Sequence, residues 1–356
     1  MKLLSKKMAV LGTGAAGSYI GAFLTREGHD VTLIDMWGEH VEAMRSDGLR
    51  VTGCQGPFTV PVNANHLSDV MQLKDKFDII FLAVKSYDTE WAAHFAKRLL
   101  KNNGVVVDNQ NCMNDAMLAS IVGFQRAVGC VMSSITVGLW EPGLVNRGGQ
   151  PGRDRGHDVF RVGELHGQIT PRAEEIAGLL SSIDGSKATA NIWGERWSKL
   201  TTNASSNPIT AMTGLGSFGA AEIPEARRLQ VEISKETCQV GLAQNYDIEP
   251  IKGISAETWA DADNGEVFEE LDATFMPPTD TKDRGDWKSS MSQDVTKGRR
   301  TEIQFMNGYI ADQGEIAGIS TPVNMAVTSV VREIDEGILL PSVDNIGEVF
   351  RRAGLS

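Results

Sequence analysis

The chain is short of cysteine, of positive charge and of long apolar runs, and each shortage argues against a class of function. Its 4 cysteines, Cys54, Cys112, Cys130 and Cys238, lie far apart and form no Cys-x-x-Cys pair. A disulfide framework or a zinc site is therefore not expected, and a reducing cytoplasm fits this usage. Lys and Arg number 34 against 46 Asp and Glu, for a net charge of -12. Such a surface repels nucleic acid and anionic membranes, so neither is an expected partner. An anionic ligand would need a local cluster of donors to overcome that field. No window approaches the roughly 18 uncharged apolar residues of a membrane span. The beginning, MKLLSKKMAVLGTGAAG, has three lysines and a short apolar stretch, without the long apolar region and cleavage site of a signal peptide.

What is present is an ordinary globular composition over 356 residues, a length that suggests two domains. The first half alternates strand and helix signals. Lys7–Leu11 is a compact apolar run ending at glycine; Ser18–Glu27 has helical spacing, with Gly28 as its stop. Val31–Asp35 reads as strand, Glu39–Ser46 as helix, and Leu49–Thr52 and Phe58–Val62 as short strands. Phe77–Val84 is almost wholly apolar, as a central strand buried on both faces should be. Asp88–Leu100 and Met113–Val122 read as helices; Gly104–Asp108, Ala127–Thr136, Val159–Val162 and Lys187–Ala190 read as strands. Thr170-Pro171 has the signature of a helix start, and Gly148–Gly156 that of a mobile loop. Repeated strand-helix-strand units imply a mostly parallel sheet.

After about Asn191 strand signals become scarce, and Trp193–Ser206, Ala221–Asn245, Ser289–Gly318 and Thr321–Asp335 favour helix. Gly253–Asp286, rich in acidic residues, Gly, Pro and Thr, reads as a helix-poor surface excursion. The expected architecture is an α/β Rossmann domain over residues 1–190 followed by an all-α domain over 191–356.

Two features carry chemistry. Gly12-Thr13-Gly14-Ala15-Ala16-Gly17 matches Gly-x-Gly-x-x-Gly at the turn between first strand and first helix. Gly12 permits the tight turn, Gly14 the approach of a pyrophosphate, and Gly17 close packing of the helix on the sheet. Asp35 ends the second strand 18 residues after Gly17, where a carboxylate can hold adenosine ribose hydroxyls and repel a 2′-phosphate. The following Met36-Trp37-Gly38 offers no arginine, so NADH is favoured over NADPH. In the second half, Lys199, Asn203 and Asn207 are spaced to share one helix face. A lysine flanked by carboxamides, beside Trp197 and Leu200, suits a cation aimed at a cavity; spacing alone leaves a snorkelling surface lysine equally open. Ser290, Asp294 and Glu302 are expected along one further helix, which by itself is only a polar face.

Taken together, GTGAAG, FLAVKSYDT, WSKLTTNASSN, SSMSQDVTKGRRTEI with its following NG, and EPGLV with VFRVGELHG closely resemble the ketopantoate reductase (2-dehydropantoate 2-reductase) family. The resemblance spans nearly the whole chain. It implies reduction of a small 2-keto acid, ketopantoate to pantoate, in a cleft between a Rossmann and a helical domain, within pantothenate biosynthesis. It implies that Lys199 protonates the carbonyl oxygen as hydride arrives and that Glu302 helps position cofactor and substrate. By the same resemblance Asn203, Asn207 and Ser290 contact substrate, Asn111 lies near the nicotinamide, and Lys85 lies beside the cofactor. No metal is implied, and a homodimer is left open.

Two departures bear on substrate. Cys112 stands where the family usually has glycine, and should narrow the pocket or force a different local turn. The segment Gly253–Asp286 is long and acidic for the family. They motivate a second reading, a paralogue acting on another 2-keto or 2-hydroxy acid. A third, a non-catalytic dinucleotide sensor, has no need of a proton donor such as Lys199.

Overall fold

The computed structural model describes residues 6–72, 76–277, 286 and 288–355. The chain divides into two compact units, Met1–Ile192 and Trp193–Ser356. The first is α/β with a mostly parallel sheet; the second is helical.

The first unit opens with β1 (Lys7–Leu11), α1 (Ala15–Arg26), β2 (Asp30–Asp35), α2 (Gly38–Asp47), β3 (Leu49–Gly53), β4 (Phe58–Val60) and β5 (Asn63–His66). It continues with β6 (Phe77–Leu82), α3 (Thr89–Leu99), β7 (Leu100–Asp108), α4 (Asp115–Val122), β8 (Ala127–Met132), β9 (Thr136–Glu141) and β10 (Leu144–Gly148). It closes with β11 (Phe160–Glu164), α5 (Pro171–Leu180) and β12 (Ser186–Ala188). Among the described residues, eight strands form one sheet in the order β12-β11-β8-β7-β6-β1-β2-β5, with only the β8–β11 pair antiparallel. The strands from β7 to β2 run parallel, so their C-terminal ends line one edge, the edge where open α/β sheets bind ligands.

A second sheet was not expected. It has the order β4-β3-β10-β9, with β10 parallel to β3 and antiparallel to β9. Helix α1 packs on β1 and β2 and also on β3, β9 and β10, which is why Gly17 through Leu24 are all buried. Phe23 lies edge-on to Phe58, 5.1 Å between centroids, and the Arg26 guanidinium sits over both rings. The segment Gly148–Gly156, expected to be mobile, is fastened instead. Buried Asp184 accepts the N–H groups of Gly152 (2.9 Å) and Arg153 (2.8 Å) and pairs with fully buried Arg147.

The second unit comprises α6 (Ile192–Thr213), α7 (Ser217–Ala221), α8 (Pro224–Ala243), α9 (Ala256–Ala260), α10 (Gly265–Ala273), α11 (Ser290–Thr296), α12 (Asn307–Ala317), α13 (Pro322–Asp335) and α14 (Asp344–Ala353). Three sequence expectations need correction here. First, α6 does not stop before Pro208 but runs through it to Thr213. Second, the acidic stretch is neither helix-poor nor wholly superficial. Ser255 and Asn264 cap α9 and α10, and Trp259 and Leu271 are completely buried. Trp259 meets Phe275 edge-on at 5.8 Å; residues 278–285 of that stretch lie outside the described residues. Third, Ser289–Gly318 is not continuous. Helix α11 ends at Thr296, Gly298 adopts φ +62° just beyond it, and a single 3-10 turn, Ile303–Phe305, precedes α12. Among the described residues no helix is long and apolar enough to cross a membrane.

Candidate active site

The glycine motif occupies the turn from β1 into α1, and its three glycines differ in their surroundings. Gly12 has φ +89°, and a Cβ there would stand 2.8 Å from the backbone nitrogen of Val84. At Gly17 a Cβ would lie 2.0 Å from the carbonyl oxygen of Gly12. Gly14, the N-cap of α1, differs: a Cβ there would meet no atom within 4 Å. The turn is therefore packed on its inner side and open where α1 begins. No acidic residue lies in the first turn of α1, so the helix end keeps its positive potential. An anionic pyrophosphate fits such a cradle.

Thr13, between these glycines, is buried and held by Asp35. Its N–H donates to Asp35 Oδ2 at 2.6 Å and its hydroxyl to the same oxygen at 3.0 Å. Asp35 Oδ1 accepts the N–H of Trp37 at 2.9 Å. Asp35 thus fastens the loop. A carboxylate offers about four acceptor sites, so after these three donors capacity for one more remains on this half-buried group.

Lys85 and Asn111 follow β6 and β7, the next strands along the same edge. The two strand ends are stitched together. Gln110 donates through Nε2 to the Val84 carbonyl (3.0 Å) and to Thr89 Oγ1 (2.8 Å). Asn114 Nδ2 reaches both Ser86 Oγ (3.0 Å) and the Asn111 carbonyl (2.8 Å). The structure therefore brings the glycine loop, Asp35, Lys85 and Asn111 to one rim. Cys112 is buried there and has φ +68°. The local turn is the one glycine would take, so the expectation of a different turn is not met.

In the helical unit, Lys199, Asn203 and Asn207 do lie on one face of α6, Lys199 half-buried and the two asparagines buried. Pro208 would ordinarily break this helix: it has no N–H for the carbonyl of Ala204. Asn307 Nδ2 donates to that carbonyl instead, at 3.2 Å. Asn307 also donates to Asn324 Oδ1 (3.0 Å), and Asn324 Nδ2 donates to Glu236 Oε2 (2.7 Å). Glu236 in turn accepts the first amides of α13, from Val323 and Asn324, both at 2.9 Å. Burial pushes the Glu236 carboxyl up against the lowering effect of these donors. Sequence reasoning missed this chain, although Pro208 inside a helical pattern signalled that some donor must replace its amide.

Ser290 opens α11, and its neighbour Ser289 ties that helix to α6, accepting from Thr210 Oγ1 at 2.7 Å. Glu302 is not on α11. The expected helical stripe from Ser290 through Asp294 to Glu302 breaks at Gly298, a residue suited to ending a helix. Glu302 instead stands buried before the 3-10 turn. Its carbonyl accepts from Phe305 N–H (2.9 Å), and preceding Thr301 is anchored to Asp335 by its hydroxyl (2.7 Å) and amide (3.1 Å).

Residues 8–155 match the family model described as ketopantoate reductase PanE/ApbA, and residues 191–335 match its C-terminal counterpart. The 2-dehydropantoate 2-reductase of Archaeoglobus fulgidus is 28% identical over 343 residues, covering 94% of this chain and 99% of the relative. That of Pyrococcus horikoshii is 27% identical over 334 residues, covering 92% and 96%. Among solved structures, the PanE/ApbA family ketopantoate reductase of Ralstonia eutropha JMP134 superposes with a TM-score of 0.75 at 25% identity, covering 93% of this chain and 99% of that one. D-mandelate dehydrogenase with NADH and anilino(oxo)acetate shares the fold, with a TM-score of 0.77 at 22% identity, covering 93% and 99%. The family and its curated relatives make the chain an oxidoreductase acting on a CH–OH group with a nicotinamide cofactor. The chain belongs to the ketopantoate reductase family.

Proposed function

We propose that the protein reduces 2-dehydropantoate to pantoate with NADH, a cytoplasmic step of pantothenate biosynthesis. The observation that carries this reading, beyond the family itself, is the stripe of Lys199, Asn203 and Asn207 on α6. The first unit binds the dinucleotide through the turn Gly12-Thr13-Gly14-Ala15-Ala16-Gly17, with Asp35 toward the ribose and Lys85 and Asn111 along the rim. When bound, the nicotinamide supplies a hydride to the keto carbon. The second unit supplies the rest. Asn203, Asn207 and Ser290 orient the keto acid, and Glu302 positions substrate and cofactor. Lys199 stabilises the developing oxyanion and donates its proton there. Asp35 disfavours a 2′-phosphate, because a second anion would have to approach a carboxylate already held in place.

Initial rates of NADH and NADPH oxidation with 2-dehydropantoate, in wild type and Lys199→Ala, test this. Lys199→Ala should lower kcat by about 10² to 10⁴, the usual loss for a positioned acid, and leave NADH affinity nearly unchanged. Near-wild-type turnover in that variant removes Lys199 from the mechanism. A clear preference for NADPH refutes the part assigned to Asp35. One observation favours a second reading. Cys112 places a side chain at the rim where glycine would leave room, which suits a paralogue reducing a smaller 2-keto acid.

A further inference from the structure

The side chain of His40, in α2, is completely buried although nothing in the proposed reaction uses it. Its Nδ1 lies 2.9 Å from the N–H of Gly143, in the turn between β9 and β10. A backbone N–H can only donate, so Nδ1 is the acceptor and the neutral ring carries its proton on Nε2. Nε2 lies 3.1 Å from Ser18 Oγ, and Ser18 Oγ lies 2.6 Å from the carbonyl oxygen of Thr13. A carbonyl can only accept. The direction of every bond is therefore fixed: Gly143 to His40, His40 to Ser18, Ser18 to Thr13. The relay needs a neutral ring, since an imidazolium has no acceptor for Gly143. Burial lowers the His40 pKa, against the opposing charge of Asp35, and Trp37 stacks on the ring at 5.4 Å.

The end of the relay matters most. The Thr13 carbonyl and the Gly14 N–H belong to one planar trans peptide, so they point in opposite directions. Ser18 holds the Thr13 carbonyl on its own side, which turns the Gly14 N–H the opposite way; a Cβ on Gly14 would meet no atom within 4 Å. Asp35 holds the preceding Thr13 amide. Thr13, the residue before the Gly14 amide, is therefore held at both its own N–H and its carbonyl.

We propose that His40 is a positioning residue for dinucleotide binding, aiming the Gly14 amide through Ser18; this rests on reading Gly12–Gly17 as the dinucleotide loop. The test is fluorescence titration of the full-length protein with NADH, in wild type, Ser18→Ala, His40→Leu, the double variant and His40→Gln. Ser18→Ala and His40→Leu should each weaken NADH about 10-fold, the effect of one lost buried hydrogen bond, and the double variant should be no weaker than either. His40→Gln, which keeps an acceptor and a donor, should recover most of the affinity. The KM for NADH should rise while kcat at saturation holds, a split that mere loss of stability does not produce. Wild type that binds no dinucleotide refutes the functional reading. Wild type that binds, with folded Ser18→Ala and His40→Leu binding as tightly, refutes the role of His40 and leaves the function standing. Fully additive losses also overturn the relay. If His40→Leu does not fold, Ser18→Ala, which removes one oxygen, decides the matter by its NADH affinity.

Discussion

Cys112 holds a left-handed backbone angle, φ +68°, with its side chain buried. A residue with a Cβ pays steric strain in that region, on the order of 1 kcal/mol, and glycine would not. The strain is tolerated because the turn around it is over-determined: Asn114 donates to the Asn111 carbonyl and Gln110 is bonded to Val84 and Thr89. The consequence of Cys112 is therefore a sulfur at the rim of the sheet rather than a different turn. Cys112→Gly should raise kcat/KM for 2-dehydropantoate relative to pyruvate by roughly 10-fold, the effect of a methylene-sized change in a pocket, with no loss of thermal stability. An unchanged ratio, with efficient reduction of 2-dehydropantoate by wild type, would make the departure neutral. The glycine loop was legible because Gly12 and Gly17 answer local demands of one turn, the first for its φ and the second for close packing. The conformation of Cys112 was not, since side-chain type alone favours an ordinary φ. His40 was equally unmarked: its partners, Ser18 and Gly143, are brought to it only by the tertiary fold.

Helix α6 depends on another element for its own continuity. Without the Asn307 amide, the Ala204 carbonyl would be left with no donor four residues before Pro208, between Asn203 and Asn207. Asn307→Leu preserves volume but also strips a donor from Asn324 Oδ1. It should cost about 1–3 kcal/mol, the penalty for orphaned buried polar groups, read as a shifted denaturation midpoint in urea. A midpoint within error of wild type would mean that α6 closes over Pro208 without help. The same dependence explains what sequence reasoning could and could not reach. Helix was expected over Trp193–Ser206, short of its end at Thr213, and the donor that carries it past Pro208 lies about a hundred residues away. Sequence reasoning found α5 from Thr170-Pro171, and the Thr170 hydroxyl does accept from Ala173 N–H, at 3.3 Å. It missed β9 and β10, because β10 pairs in parallel with β3 across some ninety residues and no local pattern encodes that register. Gly298 was visible and was read through, which carried Glu302 onto the wrong element.

At the scale of the whole molecule, the strongly acidic chain holds several ionisable groups inside, and their signs set its response to acid. Burial would raise the Asp184 carboxyl, but the Arg147 guanidinium and the amides of Arg153, Gly152 and Gly185 outweigh it and take the pKa down to about 2. A depressed acid stabilises the fold above its unfolded value, 3.8, and that contribution disappears as pH falls toward 2. For a fully buried pair it is on the order of 2 kcal/mol. His40 and His157 act higher. Burial lowers both from 6.5, against Asp35 at His40 and reinforced by Arg161 and Arg155 at His157, so each stabilises above 6.5 and less as pH falls. Glu236 has the opposite sign: its raised pKa favours the folded state as acid protonates it. Differences between variants separate these contributions. The thermal midpoint of wild type should begin to fall below pH 6.5, and His40→Gln, which does not titrate, should flatten that first decline. Asp184→Asn should lower the midpoint at every pH above 4 by leaving the Arg147 charge buried without its partner, a loss of about 3–5 kcal/mol. Its deficit should shrink as pH falls from 4 toward 2, the range over which the wild-type pair stops stabilising the fold. A deficit that stays constant from pH 7 to pH 2.5 would show that Asp184 does not hold its charge in the fold.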